Sequence, residues 1–407
     1  MISSPPDILM IAPTPFFENR GCHLRIREEA ESLQRAGCSI LIAAFRQGNE
    51  VKNLRIERSS LDLINFDKGP TASWKKIPAS FFLFLTTLRL VFKYRPKAIY
   101  CHLLEGLSIG IVTLSVVRIF SLWTYKPILI FDSQGSRADE MKSYGMIENS
   151  TILNFFRGLE KFLLRFPDKI FVSSINYLKK IKEMPGLKDR TEQLADGPSF
   201  SPGKDIVRRE EKIKNLKKIN HCFEKNDYQR VNKWLEEEKF IIIYTGNFGP
   251  AKGLPDFIRQ ILPHFSKKDS IRFIFAGEGD LKTKNEEIAV YSSKLEIENL
   301  PLLLSLADIG LDPKPKTSTE SSGKLINYMA AGLPVLAIKS PNSLYFVGDE
   351  RQLVNRFKEL KTAITKLAKN KRELEMMGKK NLQRVKEKFS WDLQIRKILA
   401  IIGHRSI

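Results

Sequence analysis

The sequence predicts an α/β protein built from two doubly wound parallel sheets. Short apolar runs alternate with segments of helical periodicity in both halves of the chain, which is the pattern of β-α-β units. The 407 residues exceed the size of one typical hydrophobic core. A stretch rich in Lys, Glu and Asn separates the two halves. We therefore predict an N-terminal domain over 1–200, a charged connector or insertion over 201–239, a second domain over 240–388 and a closing helix over 389–407.

The first half opens with a β-α-β pattern. The apolar runs 8–12 and 39–44 predict strands, and the periodic segment 22–36 between them predicts a helix. The apolar positions of that segment define a buried face. Its charged residues are predicted mostly on the solvent side: Arg25, Arg27, Glu28, Glu29 and Glu31.

Gly21 stands directly before this helix and is followed by Cys22 and His23. A glycine at such a turn lets a ligand approach the backbone amides closely. No complete G-x-G-x-x-G is present, so the turn alone does not identify a nucleotide site.

Further strands are predicted at 98–102, 128–132 and 169–173. Ligands of doubly wound sheets bind at the carboxyl ends of the strands. Polar residues follow two of these strands and are candidates for lining a site: His102, Glu105, Asp132, Gln134 and Gly135. The alternatives left open are a hydrogen-bonded structural histidine at 102 and a turn cap at Asp132.

Two apolar stretches, 81–92 and 106–123, were compared with the roughly 20 apolar residues that a membrane-spanning helix needs. Both are shorter, and they carry Arg89 and Arg118. They are interpreted as buried or interfacial helices.

The composition favours acidic partners, because the formal net charge is +21. No zinc-finger or basic-zipper pattern accompanies the basic residues, so specific nucleic-acid recognition is not expected. The four cysteines show no C-x-x-C spacing, which argues against a zinc site or redox pair and favours a cytoplasmic location. The N-terminal apolar run is too short for a signal peptide and is predicted to be the first strand.

The second half repeats the pattern, with strands predicted at 240–244 and 271–275 and a helix between them that runs through residue 265. The loop TGNFGPAKG, with Gly246 and Asn247, ends at Lys252 and Gly253, where an ammonium group could pair with a phosphate. The later turn AGEGD contains Gly277 and Glu278. A surface lysine and an ordinary turn are the alternatives.

The segment ESSGKLINYMAAGLPVLAI predicts a helix that begins after a small-residue turn and precedes the strand 335–338. Ser321, Ser322 and Gly323 leave the first helical turn open, so its amides and the positive end of the helix dipole can face an anion. Lys324 adds a positive charge. The alternative is an ordinary helix–turn–strand unit.

Taken together, these segments resemble glycosyltransferase family 4, the retaining, nucleotide-sugar-dependent transferases of the GT-B fold. The resemblance rests on YTGNFGPAKGLPDFI, FIFAGEGD, LADIGLDP, GKLINYMAAGLPVLA and MGKKNLQRVKEKFSW, which occur in the family's order. The first half adds APTPFFENRGCHLRIREEAESLQRAG, YCHLLEG and FDSQGSRADEM. It implies two Rossmann-like domains facing a central cleft, with the last helix crossing back to the first domain.

The resemblance also implies roles for individual residues. Lys252 would contact the donor diphosphate, the turn from Ser321 to Lys324 would face the phosphates or the transferred sugar, and Gly21 would close from the opposite domain. Lys252, His102 and Gln134 are the expected catalytic residues. The expected donor-binding residues are Gly21, Gly246, Asn247, Lys252, Gly277, Glu278, Glu320, Ser321, Ser322, Gly323, Lys324 and Asn327. Those expected on the acceptor side are Cys22, His23, Glu105, Asp132 and Gly135.

This chain departs from the family pattern in three places. The two glutamates that usually flank the donor site correspond to Thr319 and Asn327, although Glu320 is adjacent to the first. The usual arginine after the strand-end glycine is Asn247, which removes one phosphate partner. Gln134 stands where many relatives have a histidine, and a glutamine cannot act as a general base.

The expected function is transfer of a sugar from a nucleotide-sugar donor to a glycan, polysaccharide or lipid-linked acceptor in cell-envelope glycan synthesis. No metal and no other cofactor is expected, and contact with an anionic membrane on the cytoplasmic side is a hypothesis. The alternatives are a catalytically idle GT-B protein that binds sugar nucleotides or scaffolds a glycan-assembly complex, a charge-driven nucleic-acid-binding protein, and another GT-B activity such as epimerisation or phosphorolysis.

Overall fold

The computed structural model describes residues 5–18, 21–60, 76–120, 124–203, 209–279, 287–292 and 296–403. It divides into two compact units. The first comprises the described parts of Met1–Asp196, Thr319–Ser321 and Trp391–Ile407, and the second those of Gly197–Ser318 and Ser322–Ser390.

The first unit contains a parallel sheet with helices on both faces. Its elements up to residue 193 are β1 (Ile8–Ala12), α1 (Gly21–Arg35), β2 (Ile40–Ala44), β3 (Ile56–Arg58), α2 (Lys76–Tyr94), β4 (Ala98–His102), α3 (Leu103–Phe120), β5 (Ile128–Ser133), α4 (Arg137–Ser143), α5 (Ser150–Leu163), β6 (Lys169–Val172), α6 (Ile175–Lys182) and β7 (Thr191–Gln193). The described strands are ordered β3-β2-β1-β4-β5-β6-β7, and every neighbouring pair is parallel.

The second unit has the same architecture. Its elements, followed by the closing helix of the chain, are α7 (Arg209–Lys218), α8 (Lys225–Glu236), β8 (Phe240–Thr245), α9 (Leu254–Gln260), β9 (Ile271–Ala276), β10 (Ala289–Ser292), α10 (Leu300–Leu304), β11 (Ile309–Asp312), α11 (Gly323–Ala330), β12 (Val335–Ile338), α12 (Pro341–Val347), β13 (Leu353–Val354), α13 (Glu359–Leu367), α14 (Lys371–Lys388) and α15 (Trp391–Ile401). The described strands are ordered β10-β9-β8-β11-β12-β13, again all parallel.

The strands that the sequence predicted are confirmed, with ends shifted by one residue at most. The helix predicted to run through residue 265 is shorter. α9 ends at Gln260, and a separate 3₁₀ turn follows at Leu262–His264. Pro263 explains the break, because a proline inside a helix removes a backbone donor and clashes with the preceding turn.

Alternate residues of the first sheet face two different helical layers. Leu9 and Ile11 of β1 belong to a core shared with α2, α3, α5 and α6. Ile8 and Met10 belong to a second core shared with α1 and α15. The period-two alternation of a strand explains this division. The closing helix α15 therefore completes the core of the first unit.

The charged stretch between the two sheets contains α7 and α8, and both belong to the second unit. One of its charges is largely buried, because the side chain of Lys212 is only 14% exposed. Its ammonium lies 2.8 Å from the carboxylate of Asp308 and also donates to the carbonyl of Ala307. Leu216 and Trp234 are buried, so these helices carry an apolar face as well as a charged one.

The two apolar stretches lie in α2 and α3, except for residues 121–123, which fall outside the described residues. Ile77–Tyr94 and Leu103–Phe120 are long and apolar enough to cross a membrane by length and composition alone. Core helices of soluble proteins can meet the same criteria. Membrane crossing is therefore not established by these helices.

The packing of β11 against α11 makes a testable prediction about Gly310. A Cβ at this position would lie 2.3 Å from the Tyr328 ring, so Gly310→Ala must displace that ring. We expect a loss of about 1–3 kcal/mol, equivalent to several degrees in the midpoint of thermal unfolding. Gly158→Ala is the matched control, because Gly158 is an exposed position in α5 with no described atom near its added Cβ. The control should be neutral or slightly stabilising, and equal effects of the two substitutions would contradict the prediction.

Candidate active site

The loops after β8 and β9 approach each other closely through two glycines. Gly246 has φ +122° and Gly277 has φ +148°, both in a region that side-chain-bearing residues rarely adopt. A Cβ on Gly277 would lie 1.9 Å from the carbonyl oxygen of Gly246. The two backbones can therefore pass at this distance only because Gly277 carries no side chain.

Lys324, in the first turn of α11, extends its side chain to this same strand edge. Its Nζ lies 3.7 Å from the centroid of the Tyr244 ring and 3.8 Å from Oδ1 of Asp312, the last residue of β11. Its Nζ and Cε would also lie 3.6 Å from a Cβ on Gly246. The side chain is 12% exposed. A lysine charge is therefore held beside the carboxyl ends of β8 and β11.

The N-terminus of α11 is not capped by the side chain of its N-cap residue, Ser322. The Ser322 hydroxyl donates instead to Oδ2 of Asp312 at 2.5 Å. The next residue, Gly323, has no side chain to cover the first turn. Amides at an uncapped helix start, together with the helix dipole, favour an anion. The predicted start of the helix is confirmed, whereas anion binding there stays a prediction.

Lys252 lies in a loop that is fixed by close backbone contacts. Pro250–Lys252 form a 3₁₀ turn, and Gly253 follows with φ +73°. A Cβ on Gly253 would lie 2.1 Å from the carbonyl oxygen of Pro313, just after β11. Asn247 supports the start of the loop, because its side-chain oxygen accepts a hydrogen bond from Gly249 N at 2.6 Å. The Lys252 side chain is half-buried.

The other predicted donor-side residues have different surroundings. Oδ1 of Asn327 accepts a hydrogen bond from Ser199 N at 2.8 Å within the second unit. Glu278 is exposed. Glu320 is half-buried, and Ser321 donates its hydroxyl to Asp196; both belong to the segment that clusters with the first unit. Their contacts with a donor stay predictions.

The first unit contains a buried cluster of charges that contradicts one sequence expectation. Arg25 and Glu29 were predicted on the solvent side of their helix, but they are 4% and 0% exposed. Glu28, also expected at the surface, is half-buried, and burial together with the nearby Glu31 raises its pKa to about 7. The apolar face of α1 therefore includes an arginine and a carboxyl group one turn apart.

Arg25 is the centre of this cluster. Its Nε and Nη2 donate to the two carboxylate oxygens of Asp132 at 2.9 and 2.7 Å, which is a bidentate contact. Its Nη1 donates to Asp196 at 2.6 Å, and its Nε lies 3.0 Å from Glu29. The guanidinium also lies 5.7 Å from the ring centroid of Trp391 in α15.

The two buried carboxyl groups, Asp132 and Glu29, have pKa values that are shifted in opposite directions. Burial alone would raise the pKa of Asp132, but Arg25 and hydrogen bonds from His102 and Arg25 hold it well below its usual value. Burial and the neighbouring Asp132 raise the pKa of Glu29 well above its usual value, against a smaller opposite effect of Arg25. Glu29 therefore keeps its proton where Asp132 is ionised.

Glu29, His102 and Asp132 place one potential metal-ligand atom each within 4.8 Å of one another. Arg25 already contacts both carboxyl groups, so a divalent cation here would have to share them with the guanidinium. Burial lowers the pKa of His102, whose Nδ1 lies 3.5 Å from Asp132 Oδ2. These contacts favour Arg25 as the cation of the cluster. The expectation that no metal is needed stays a prediction.

The remaining residues predicted in the first unit lie around the ends of β4 and β5 and the start of α1. Gly21 is exposed and Cys22 is half-buried, whereas His23 is buried and accepts a hydrogen bond from Glu18 N. Gln134 is half-buried, and its amide lies 3.5 Å from Asp132. Glu105 lies 3.7 Å from Arg137.

Gly135 has φ +147°, and a Cβ there would lie 3.2 Å from the carbonyl oxygen of Thr319, in the 319–321 segment of the first unit. His102 is fully buried, so it is placed inside the cluster and not on an open surface. Its catalytic role, like that of Gln134, stays a prediction.

Sequence reasoning missed Arg25, Tyr100 and Asp196 as members of this cluster. The phenol of Tyr100 donates to Glu29 at 2.8 Å. One signal was available, because Glu29 lies between Ile26 and Leu33 on the apolar side of the helix and four residues after Arg25. Nothing comparable marks Asp196, which follows the last strand of the sheet.

Comparison with known proteins identifies the second unit. Residues 239–370 match the family model for glycosyl transferases group 1. The chain is a glycosyltransferase. The matched residues include β8 through α13 and therefore the edge of the sheet where Lys324 and the glycine loops meet. No curated protein matches the sequence of this glycosyltransferase.

Solved structures show that its fold is GT-B over nearly the whole chain. HepE from Anabaena, in complex with UDP and glucose, has a TM-score of 0.71 at 14% identity and covers 98% of this chain and 99% of its own. Sucrose-phosphate synthase from Thermosynechococcus elongatus has a TM-score of 0.71 at 14% identity, and the match covers 97% of this chain and 98% of the synthase. WaaG, a glycosyltransferase involved in lipopolysaccharide biosynthesis, has a TM-score of 0.62 at 11% identity, and the match covers 97% of this chain and 100% of WaaG.

The buried cluster predicts opposite results for two isosteric substitutions. Asp132→Asn removes the ionised partner of Arg25 and should lower the free energy of unfolding by about 3–5 kcal/mol at neutral pH. Glu29→Gln replaces a carboxyl group whose pKa is raised well above its usual value by burial and by Asp132, and it should change the free energy of unfolding by less than about 1 kcal/mol. Denaturant unfolding of both variants tests this, and an equal loss in both would contradict the assignment of the proton to Glu29.

The pH dependence of stability gives a separate test of the same assignment. The folded protein keeps the Glu29 proton that the unfolded chain loses near pH 4.5, so this group lowers stability as pH rises from about 4.5 toward the folded-state pKa. Asp132 acts in the opposite direction, because its contribution is lost as pH falls below about 3.8. Glu29→Gln should flatten the decline on the upper side only. A profile unchanged by Glu29→Gln would show that Glu29 is ionised in the folded protein.

Proposed function

We propose that this glycosyltransferase is a retaining, family 4 enzyme that moves a sugar from a nucleotide-sugar donor to a glycan, polysaccharide or lipid-linked acceptor in cell-envelope glycan synthesis. The observation that carries the proposal is the start of α11. There Ser322 turns its hydroxyl to Asp312 and leaves the helix amides uncapped, beside the ammonium group of Lys324.

A diphosphate matches the chemistry of this edge of the sheet. The positive end of α11 and Lys324 favour negative charge, and Gly246 and Gly323 present backbone without side chains. Lys252 supplies a second cation from the loop packed against Pro313. The side chain of Asn247 accepts a hydrogen bond within that loop. It carries no charge, so it would not bind a phosphate as the arginine of related enzymes does.

In the proposed reaction the bond between the sugar and the diphosphate breaks and negative charge develops on the departing phosphate oxygen. Lys252, Lys324 and the amides of α11 stabilise that charge, and removing one such donor commonly costs about a hundredfold or more in rate. The acceptor hydroxyl attacks from the same face, and the leaving phosphate oxygen takes its proton. Gln134 then orients hydroxyl groups, and no general base is required.

The proposals for donor and acceptor class draw on the GT-B neighbours. HepE has been crystallised with UDP-glucose, and WaaG takes part in lipopolysaccharide biosynthesis. A nucleotide-sugar donor and an envelope glycan acceptor follow by analogy with these proteins. A cytoplasmic location agrees with free cysteines at positions 22, 38, 101 and 222.

Donor binding predicts a defined response to substitution of the two lysines. Lys324→Met and Lys252→Ala should each weaken binding of the preferred nucleotide sugar about ten- to a hundredfold, since each removes a charged phosphate partner. Thermal unfolding against a panel of nucleotide sugars and nucleoside diphosphates measures this. Lys366→Ala is the matched control, because Lys366 is exposed on α13 of the same unit. If all three variants bound the donor with equal affinity, neither Lys324 nor Lys252 would belong to the proposed site.

The stereochemistry of transfer tests the retaining mechanism directly. Once the preferred donor is known, the product should have the same anomeric configuration as the donor, measured by NMR coupling constants at the anomeric carbon. An inverted product would contradict the same-face mechanism. Donor binding without turnover on any glycan or lipid-linked acceptor would favour the idle scaffold instead.

A further inference from the structure

The first unit exposes large apolar side chains on the outer side of one helical layer. α2, α3 and α5 belong to the same layer, because all three contribute to the core on one face of the sheet. Their outward-facing apolar residues, with Phe166 just after α5, form what we call the apolar face: Ile77, Phe81, Leu85, Phe92, Val112, Ile119, Phe120, Ile152, Phe155, Leu159, Phe162 and Phe166. Ile119 and Phe120 are each 69% exposed, and Phe155 is 67% exposed.

The face is a regular feature of the helices. On α2 the exposed positions 77, 81 and 85 recur every four residues, and on α5 the exposed positions 152, 155, 159 and 162 recur every three or four. Each set therefore forms one stripe along its helix. The opposite sides of the same helices are buried against the sheet, through residues such as Leu83 and Leu163. These helices are thus apolar on both sides.

The polarity of α5 is the reverse of that of an ordinary surface helix. Its one acidic residue, Glu160, faces inward and is 6% exposed. Its carboxylate accepts hydrogen bonds from the hydroxyls of Ser136 and Tyr177 and from Arg137 N. The only carboxyl group of the helix is therefore hydrogen-bonded inside the unit, whereas Phe155 and Phe162 face outward.

Basic residues border the face, and one of them, Arg89, lies 3.1 Å from the carboxylate of Glu57. α2 contains no acidic residue and carries Arg89 and Lys93 near its end. The exposed side of α5 carries Lys161, with Arg165 following the helix. An apolar stripe bordered by Lys and Arg is the pattern of segments that lie in the interface of an anionic bilayer. The net charge of +21 has the same sign.

A second copy of the chain fits this face less well. A symmetric dimer through the apolar face would bring identical basic borders together, with Glu160 already buried and unable to compensate them. A membrane-spanning arrangement is also disfavoured, because the inner sides of α2 and α3 supply the core that covers the sheet. Anionic lipid supplies both the apolar phase and the complementary charge.

We propose that the apolar face seats the first unit on the surface of an anionic lipid bilayer, with the phenylalanines of α2 and α5 inserted at the level of the headgroups. The protein is then peripheral to the membrane and not spanning. This surface defines where a lipid-linked acceptor would be met, but it does not depend on the identity of the sugar donor.

Vesicle flotation of the full chain tests the proposal. Vesicles of phosphatidylcholine alone are compared with vesicles in which about a third of the lipid is phosphatidylglycerol. We expect binding to the anionic vesicles that weakens with added salt. The double variant Phe155→Ser/Phe162→Ser should reduce the partition coefficient at least about tenfold, because it removes two inserted aromatic rings.

Two controls separate this result from misfolding and from loss of the donor site. Leu344→Ser/Met376→Ser removes two apolar side chains of the second unit that are 37% and 45% exposed, and it should leave partitioning unchanged. The thermal shift produced by a nucleotide sugar should be the same in both double variants and the unmodified protein. Loss of flotation with an intact donor response would therefore support the membrane surface alone.

Three results would overturn the proposal. The first is absence of binding to anionic vesicles at low salt. The second is equal partitioning of the unmodified protein and Phe155→Ser/Phe162→Ser. The third is a dimer, measured by light scattering, that this double variant converts to monomer, since the face would then be covered by a second copy.

Discussion

The bidentate contact between Arg25 and Asp132 is the interaction on which the first unit depends most. It joins α1 to the end of β5 inside a site that excludes water, and the same guanidinium reaches Asp196 and the ring of Trp391. Four segments distant in sequence are thus held by one side chain. Only arginine offers a planar fork that can serve two carboxylates at once, so a lysine could not replace it. Burial and the neighbouring Asp132 raise the pKa of Glu29 against the smaller effect of this one cation.

In the second unit, several loops meet at the carboxyl ends of the strands, and glycines keep side chains out of this region. Gly277 and Gly253 permit backbone approaches that a Cβ would block. The space beside them is bordered by Lys324, whose position over Tyr244 is fixed by Asp312 and by the start of α11. A preorganised charge of this kind is what the transfer of a sugar from a diphosphate requires, since the charge appears on the leaving group and not on the protein.

In the helical layer of α2, α3 and α5, apolar side chains are found both in the core and on the exposed surface. The inner sides of these helices complete a core, whereas their outer sides expose phenylalanines that a protein surrounded by water would not be expected to collect in one place. The inward-facing Glu160 is the counterpart of that arrangement. An interfacial position accounts for both, because acids are unfavourable and aromatic rings favourable next to anionic lipid.

The local pattern of residues was sufficient for most of the described strands and for the turn that begins α11, because periodicity, glycine and proline act within a few residues. The family resemblance added the GT-B fold and the expectation of which region would bind a donor. The cluster around Arg25 could not be obtained in this way. Arg25 and Asp196 are 171 positions apart, and only the folded sheet brings them within 2.6 Å. Charged residues on a helix are usually solvated, and for this reason the sequence analysis predicted Glu29 on the solvent side. The structure shows that it is buried. In α5 likewise, the face that contacts the core was decided by the packing of Leu153, Glu160 and Leu163. By itself, then, the sequence determined most of the strands and the turn that opens α11. The tertiary structure decided which charges are buried and which apolar side chains remain outside, because burial depends on neighbours that are distant along the chain.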